Sequence, residues 1–75
     1  MSDQVNSPAH YQQLRGVEAI DVIEDVVRSA PEPVVGFLVG SALKYLLRAW
    51  HKDNAGQDLQ KAAWYINRAI ARLNT

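Results

Sequence analysis

Val34-Val35-Gly36-Phe37-Leu38-Val39-Gly40-Ser41-Ala42-Leu43-Lys44-Tyr45-Leu46-Leu47-Arg48-Ala49-Trp50 is apolar around most of the circumference that a helix would present. Leu38, Val39, Ala42, Leu43, Leu46, Leu47 and Trp50 fall on more than one side, and such a helix is normally central, packed by neighbours on several flanks. Gly36, Gly40, Ser41, Lys44 and Tyr45 interrupt the apolar run, which is too short to span a bilayer. The segment, extended to His51 or Lys52, is therefore read as the buried helix of a folded domain, and the rest of the chain is its cover.

Upstream, Ala19, Ile20, Ile23, Val26 and Val27 recur at the spacing of one buried helical face, and Glu18, Asp21, Asp25 and Arg28 follow a helical spacing of their own. A first helix is expected from about Val17 to Arg28. Ser29-Ala30-Pro31-Glu32-Pro33 ends it, because neither proline fits inside a helix. Downstream, Asp53-Asn54-Ala55-Gly56 is a turn, and a third helix is expected from Gln57 or Asp58 to about Leu73. Its inward residues would be Leu59, Ala62, Ala63, Ile66, Ile70 and Leu73. The expectation is an all-α protein, a compact three-helix bundle over residues 16–75 with an extended N-terminal arm over residues 1–15.

Seventy-five residues make one domain with a marginal core. There is no cysteine, which excludes disulfides and a thiolate metal site, so a homo-oligomer is the expected remedy. Eight basic residues balance eight acidic ones, which leaves no global field for nucleic acid or an anionic membrane. Residues 1–13 lack the apolar stretch of a signal peptide, so the expected compartment is the cytoplasm, with no membrane partner.

Chemistry must come from the polar positions. Lys44 and Arg48 are four residues apart on the most apolar helix, with Lys52 continuing the stripe, and two cations there carry a desolvation cost unless anions meet them. The anion is a carboxylate of the first helix (Glu18, Asp21 or Glu24), a ligand phosphate, or both, since a network that holds the cations can also present them. Glu18 and Asp21 stand at i, i+3, a pairing that suits Mg2+ or a solvated acidic face. Asp58, Lys61, Tyr65, Arg68 and Arg72 share one side of the third helix, where Lys61 and Tyr65 are read as phosphate contact and base platform. His10, beside Tyr11 in the arm, can contact phosphate or transfer a proton. Phosphate loops of the Walker and Rossmann types, a cysteine nucleophile and a zincin motif are all absent.

Four ordered blocks carry a family resemblance: His10-Tyr11, Gly16 to Glu24 (GVEAIDVIE), Gly40 to Ala49 (GSALKYLLRA) and Asp58 to Tyr65 (DLQKAAWY). Together they resemble the SaV-like phage family, DUF3310. The resemblance implies a phage origin, and it is similar to a domain of a nucleotide kinase of T7-like phages that phosphorylates deoxynucleoside monophosphates. Another relative is connected with sensitivity to an abortive-infection system. Ser41 stands where Asn is usual, Trp50 where a small residue is usual and Gln57 where an acid is usual.

The expected function is a phage nucleotide-binding protein in the infected host's cytoplasm. Lys44, Tyr45, Arg48, Lys61, Tyr11 and Tyr65 would bind the nucleotide, and His10, Glu18 and Asp21 would be the catalytic positions of a kinase-like phosphoryl transfer. Glu18 and Asp21 would hold Mg2+. The alternative is a non-enzymatic oligomer that engages a host protein or sequesters a signalling nucleotide. A MazG-type pyrophosphatase ranks below both, since its duplicated acidic motifs are missing.

Overall fold

A computed structural model of the protein describes residues 13–14, 17–51 and 53–75. Three α-helices dominate: α1 Ala19–Arg28, α2 Pro33–Arg48 and α3 Ala55–Leu73. They form the expected three-helix bundle. Two short strands, β1 Gln13–Leu14 and β2 Val17–Glu18, pair antiparallel just before α1, with Gln13 opposite Glu18 and Leu14 opposite Val17. Val17 and Glu18 are thus strand rather than the first turn of a helix, and Glu18 is the N-cap of α1 in extended conformation.

Local chemistry explains the boundaries. α1 stops at Ser29, whose N–H donates to the Val26 carbonyl while that of Ala30 donates to Val27, before Pro31 removes a donor. Pro33 occupies the first position of α2, where its missing N–H costs nothing. α2 tightens into a 3-10 turn at Ala49–His51. α3 begins two to three residues earlier than the periodicity predicts because Asn54 caps it, its Oδ1 accepting from the Gln57 N–H at 2.9 Å. At the far end, Arg72 of α3 donates to the Glu32 carboxylate ahead of α2, which holds the guanidinium pKa above its usual value.

α2 lies between the other two helices, as its all-round apolarity requires. Toward α1, Gly36 and Gly40 form a notch that accepts Val27 and Ile23. A Cβ at Gly40 would sit 2.8 Å from Val27 Cγ2 and 3.5 Å from Ile23 Cγ2, and Val27 is β-branched with little rotameric freedom. Gly40→Ala is therefore expected to lose about 1 kcal/mol net, overpacking outweighing the ~1 kcal/mol gain in helix propensity. A urea melt in which Gly40→Ala matches or exceeds the parent would refute this packing.

The core is built mainly from small residues. Ala19, Ala42, Ala49, Ala62 and Ala69 are buried together with Ile23, Val35 and Leu38. On α3 this corrects the expected inward set: Ala62 and Ala69 face the core, whereas Leu59, Ala63, Ile66, Ile70 and Leu73 are exposed. Small residues at the contact allow close helix approach, and the large apolar residues one position aside stay outside. Among the described residues, no helix is long and apolar enough to cross a membrane.

Candidate functional site

Tyr45 is the centre of the polar face. It lies one helical turn before Arg48 and one residue after Lys44, so α2 alone brings three of the predicted residues to one flank. α3 runs back alongside and adds Lys61 and Tyr65. The Lys44 ammonium is 5.1 Å from the centroid of the Tyr45 ring, the Arg48 guanidinium 5.0 Å and the Lys61 ammonium 5.4 Å. Each distance is within cation–π range. Tyr65 stacks on Tyr45 with centroids 5.9 Å apart and planes 15° from parallel.

Three like charges around one ring repel each other, and one carboxylate offsets them. Asp58, 4% exposed, accepts from Arg48 Nε at 3.2 Å and from Nη2 at 3.3 Å. This two-point pair joins the end of α2 to the first turn of α3, where a negative charge is also favoured by the helix dipole. Lys44 and Lys61 meet no carboxylate among the described residues. Asp53 lines the same cleft as Arg48 and Lys61 without pairing to either. The cations and their one bonded carboxylate leave a local excess of positive charge that is half-buried at Lys44 and Arg48 and open at Lys61.

The counter-ion for Arg48 thus comes from α3, not from Glu18, Asp21 or Glu24 on the α1 side. Sequence reading placed Asp58 on the polar stripe of α3 without assigning it to the site. The available signal was the need for an anion near Arg48, but nothing in the spacing says which acid meets it across the turn.

Three concavities are lined by residues that contact the Tyr45 ring, although Tyr45 itself lines none of them. A cleft of about 240 Å3 lies between Arg48, Asn54, Asp58 and Lys61. Another of about 290 Å3 lies beside Lys44 over the α1–α2 notch. A groove of about 550 Å3 continues along α2 and α3, walled by Phe37, Trp64 and Tyr65 with Arg68 at its edge. Phe37 and Trp64 meet Tyr65 edge-on with centroids 6.2 and 5.1 Å away, and both are more than half exposed. Both aromatics belong to the surface of the site; the sequence offers Trp64, with Trp50, as surplus apolar surface for a partner, whereas Phe37 carries no such signal.

The structure brings together Lys44, Tyr45, Arg48, Lys61 and Tyr65. Glu18 stands at the N-cap position of α1 without a side-chain capping bond, and Asp21 is exposed in its first turn without an ion pair among the described residues. No three His, Asp or Glu side chains gather into a metal-holding group among the described residues. His10, Tyr11 and Lys52 lie outside the described residues.

A family model described as a protein of unknown function (DUF3310) matches residues 5–67, a span that contains every residue of the cluster. No curated protein and no solved structure matches the chain.

Proposed function

Since the chain belongs to the DUF3310 family, whose description carries no activity, we propose from the site itself that this protein binds a nucleotide through its phosphate. The observation that carries this reading is the convergence of Lys44, Arg48 and Lys61 on Tyr45 with, among the described residues, only the Arg48–Asp58 pair to offset them. Cations held close together with too few carboxylates are stabilised by an incoming anion, and a phosphate offers several acceptor oxygens. The Tyr45–Tyr65 stack and the exposed rings of Phe37 and Trp64 offer flat apolar surface next to the charge, which suits a base. The cleft at Arg48 and Lys61 has room for a phosphate, and the aromatic groove beyond Tyr65 has room for the remainder of a nucleotide.

A phage origin, and action in the infected host's cytoplasm, complete the reading. In its catalytic form, a deoxynucleoside monophosphate would receive a phosphoryl group, a reaction in which positioning and charge stabilisation supply most of the rate. Glu18 and Asp21 would then bind Mg2+ jointly with the nucleotide's phosphates, since Mg2+ accepts few protein oxygens, and His10 would close the site from the arm. A second reading is binding without turnover, as in sequestration of a signalling nucleotide or engagement of a host protein. The engagement of Asp58 by Arg48 favours it, because the carboxylate nearest the cations is not available as a base.

Calorimetry of the whole chain with mononucleotides, dinucleotides and cyclic nucleotides, with and without Mg2+, is the test. Saturable binding of at least one phosphate-bearing compound is expected, and the parent nucleoside should not bind. Absence of heat with every compound overturns the proposal. Formation of ADP from ATP and a deoxynucleoside monophosphate distinguishes the catalytic form from sequestration.

A further inference from the structure

All the charges of α3, at Asp58, Lys61, Arg68 and Arg72, fall on the flank of that helix that points inward or toward the Tyr45 face. The opposite flank carries Leu59, Ile66, Ile70 and Leu73, spaced at i, i+7, i+11 and i+14, with Ala63 between them. Ile70 is 50% exposed and Leu73 59%. α2 runs antiparallel beside α3, and the same helical geometry puts Leu46 on this side while Lys44 and Arg48 are on the other. Val26 of α1 joins them. Among the described residues, no Asp, Glu, Lys or Arg interrupts this side of the three helices. An exposed helix face is ordinarily dotted with charge, which keeps it solvated.

We propose that a second copy of this chain covers this face, so that two three-helix units pack back to back with both Tyr45 sites facing outward. Two features select a second copy over another partner. A two-fold interface sets a patch against itself, so any charge near the axis meets its own like, and a charge-free patch is what that symmetry tolerates. The area also fits: helices of 10, 16 and 19 residues laid side by side present roughly 600–700 Å2, close to the ~800 Å2 per partner of stable complexes. The protomer has reason to need it. Among the described residues no large side chain is fully buried, and its core is mostly alanine, whereas helices are stabilised by burying an apolar face against another element.

Sedimentation equilibrium of the full chain is expected to give a dimer, or an even-numbered assembly built from it, at micromolar concentration. Its melting temperature should rise with protein concentration, as for any folded state stabilised by self-association. Ala63 is already exposed in the protomer, so Ala63→Glu costs the fold only a small difference in helix propensity and should weaken association at least tenfold. Ile70→Glu should act in the same way. Trp64→Glu, on the opposite flank, should leave the mass unchanged. A fully helical monomer at 100 μM, on the order of a hundred times the concentrations at which such interfaces assemble, would overturn the proposal. So would an assembly that survives Ala63→Glu and Ile70→Glu but is lost in Trp64→Glu. The inference is independent of the nucleotide reading, because Lys44→Ala and Lys61→Ala leave this side untouched and should sediment like the parent.

Discussion

Asp58→Ala is expected to lower the unfolding free energy by about 3–5 kcal/mol, the cost of stranding one partner of a buried ion pair. A small domain has only ~5–15 kcal/mol in total, so the variant should be largely unfolded at moderate urea. The reason is geometric. Arg48 reaches Asp58 from the last turn of α2 with two nitrogens, its own side chain is 20% exposed, and the carboxylate has little water to fall back on. Replacing both partners by apolar residues, Arg48→Met with Asp58→Leu, should recover most of the loss, since a well-packed apolar pair commonly equals a buried salt bridge. Urea denaturation of Arg48→Met, Asp58→Leu and the double variant closes the cycle. If Asp58→Ala costs under ~1 kcal/mol, the pair is a surface-type contact and does not anchor α3 to α2.

Lys44→Ala combined with Lys61→Ala has the opposite signature: little change in stability and a large loss of nucleotide affinity. Neither ammonium has a carboxylate partner among the described residues, so removing both relieves repulsion around Tyr45 and leaves no buried charge stranded. Stability should stay within ~0.5 kcal/mol of the parent. Each charge-assisted contact to phosphate is worth about 1.5–3 kcal/mol, and 1.4 kcal/mol is a tenfold change in Kd, so the double variant should bind about 100-fold more weakly or worse. Raising the salt concentration should weaken parent binding and hardly affect the variant, because added ions screen exposed charges. Calorimetry reads both effects. Unchanged affinity in the double variant would remove the cation cluster from the site, whatever the chain binds elsewhere.

Arg48 belongs to both experiments, and the pair cycle separates its roles. The Arg48→Met, Asp58→Leu protein should fold and still lose affinity, since one cation of the cluster is gone. This distinguishes holding the site together from touching the ligand.

Much of the site was legible because helical spacing is local. Lys44, Tyr45 and Arg48 must share a flank of any helix that contains them, and so must Lys61 and Tyr65. Their convergence across two helices was not legible. Tyr45 and Tyr65 stack although twenty positions separate them, and Arg48 finds Asp58 rather than an acid of α1, because the α2–α3 turn at Asp53 and Asn54 sets which turn of one helix opposes which turn of the other. Phe37, and the place of Trp64 beside Tyr65, were not legible for a related reason. A large aromatic reads as core until packing leaves it outside.

The amino-acid pattern by itself determined three helices, their order, the central position of α2 and the prolines and polar turns that separate them, because these follow from apolar periodicity and from residues that cannot continue a helix. Tertiary structure decided which face of α3 turns inward. Periodicity reports that Leu59, Ile66, Ile70 and Leu73 form an apolar stripe but carries no information on what covers it. Close approach of α2 and α3 admits Ala62 and Ala69 at the contact and excludes the larger side chains, so the stripe read as core is surface in the single chain.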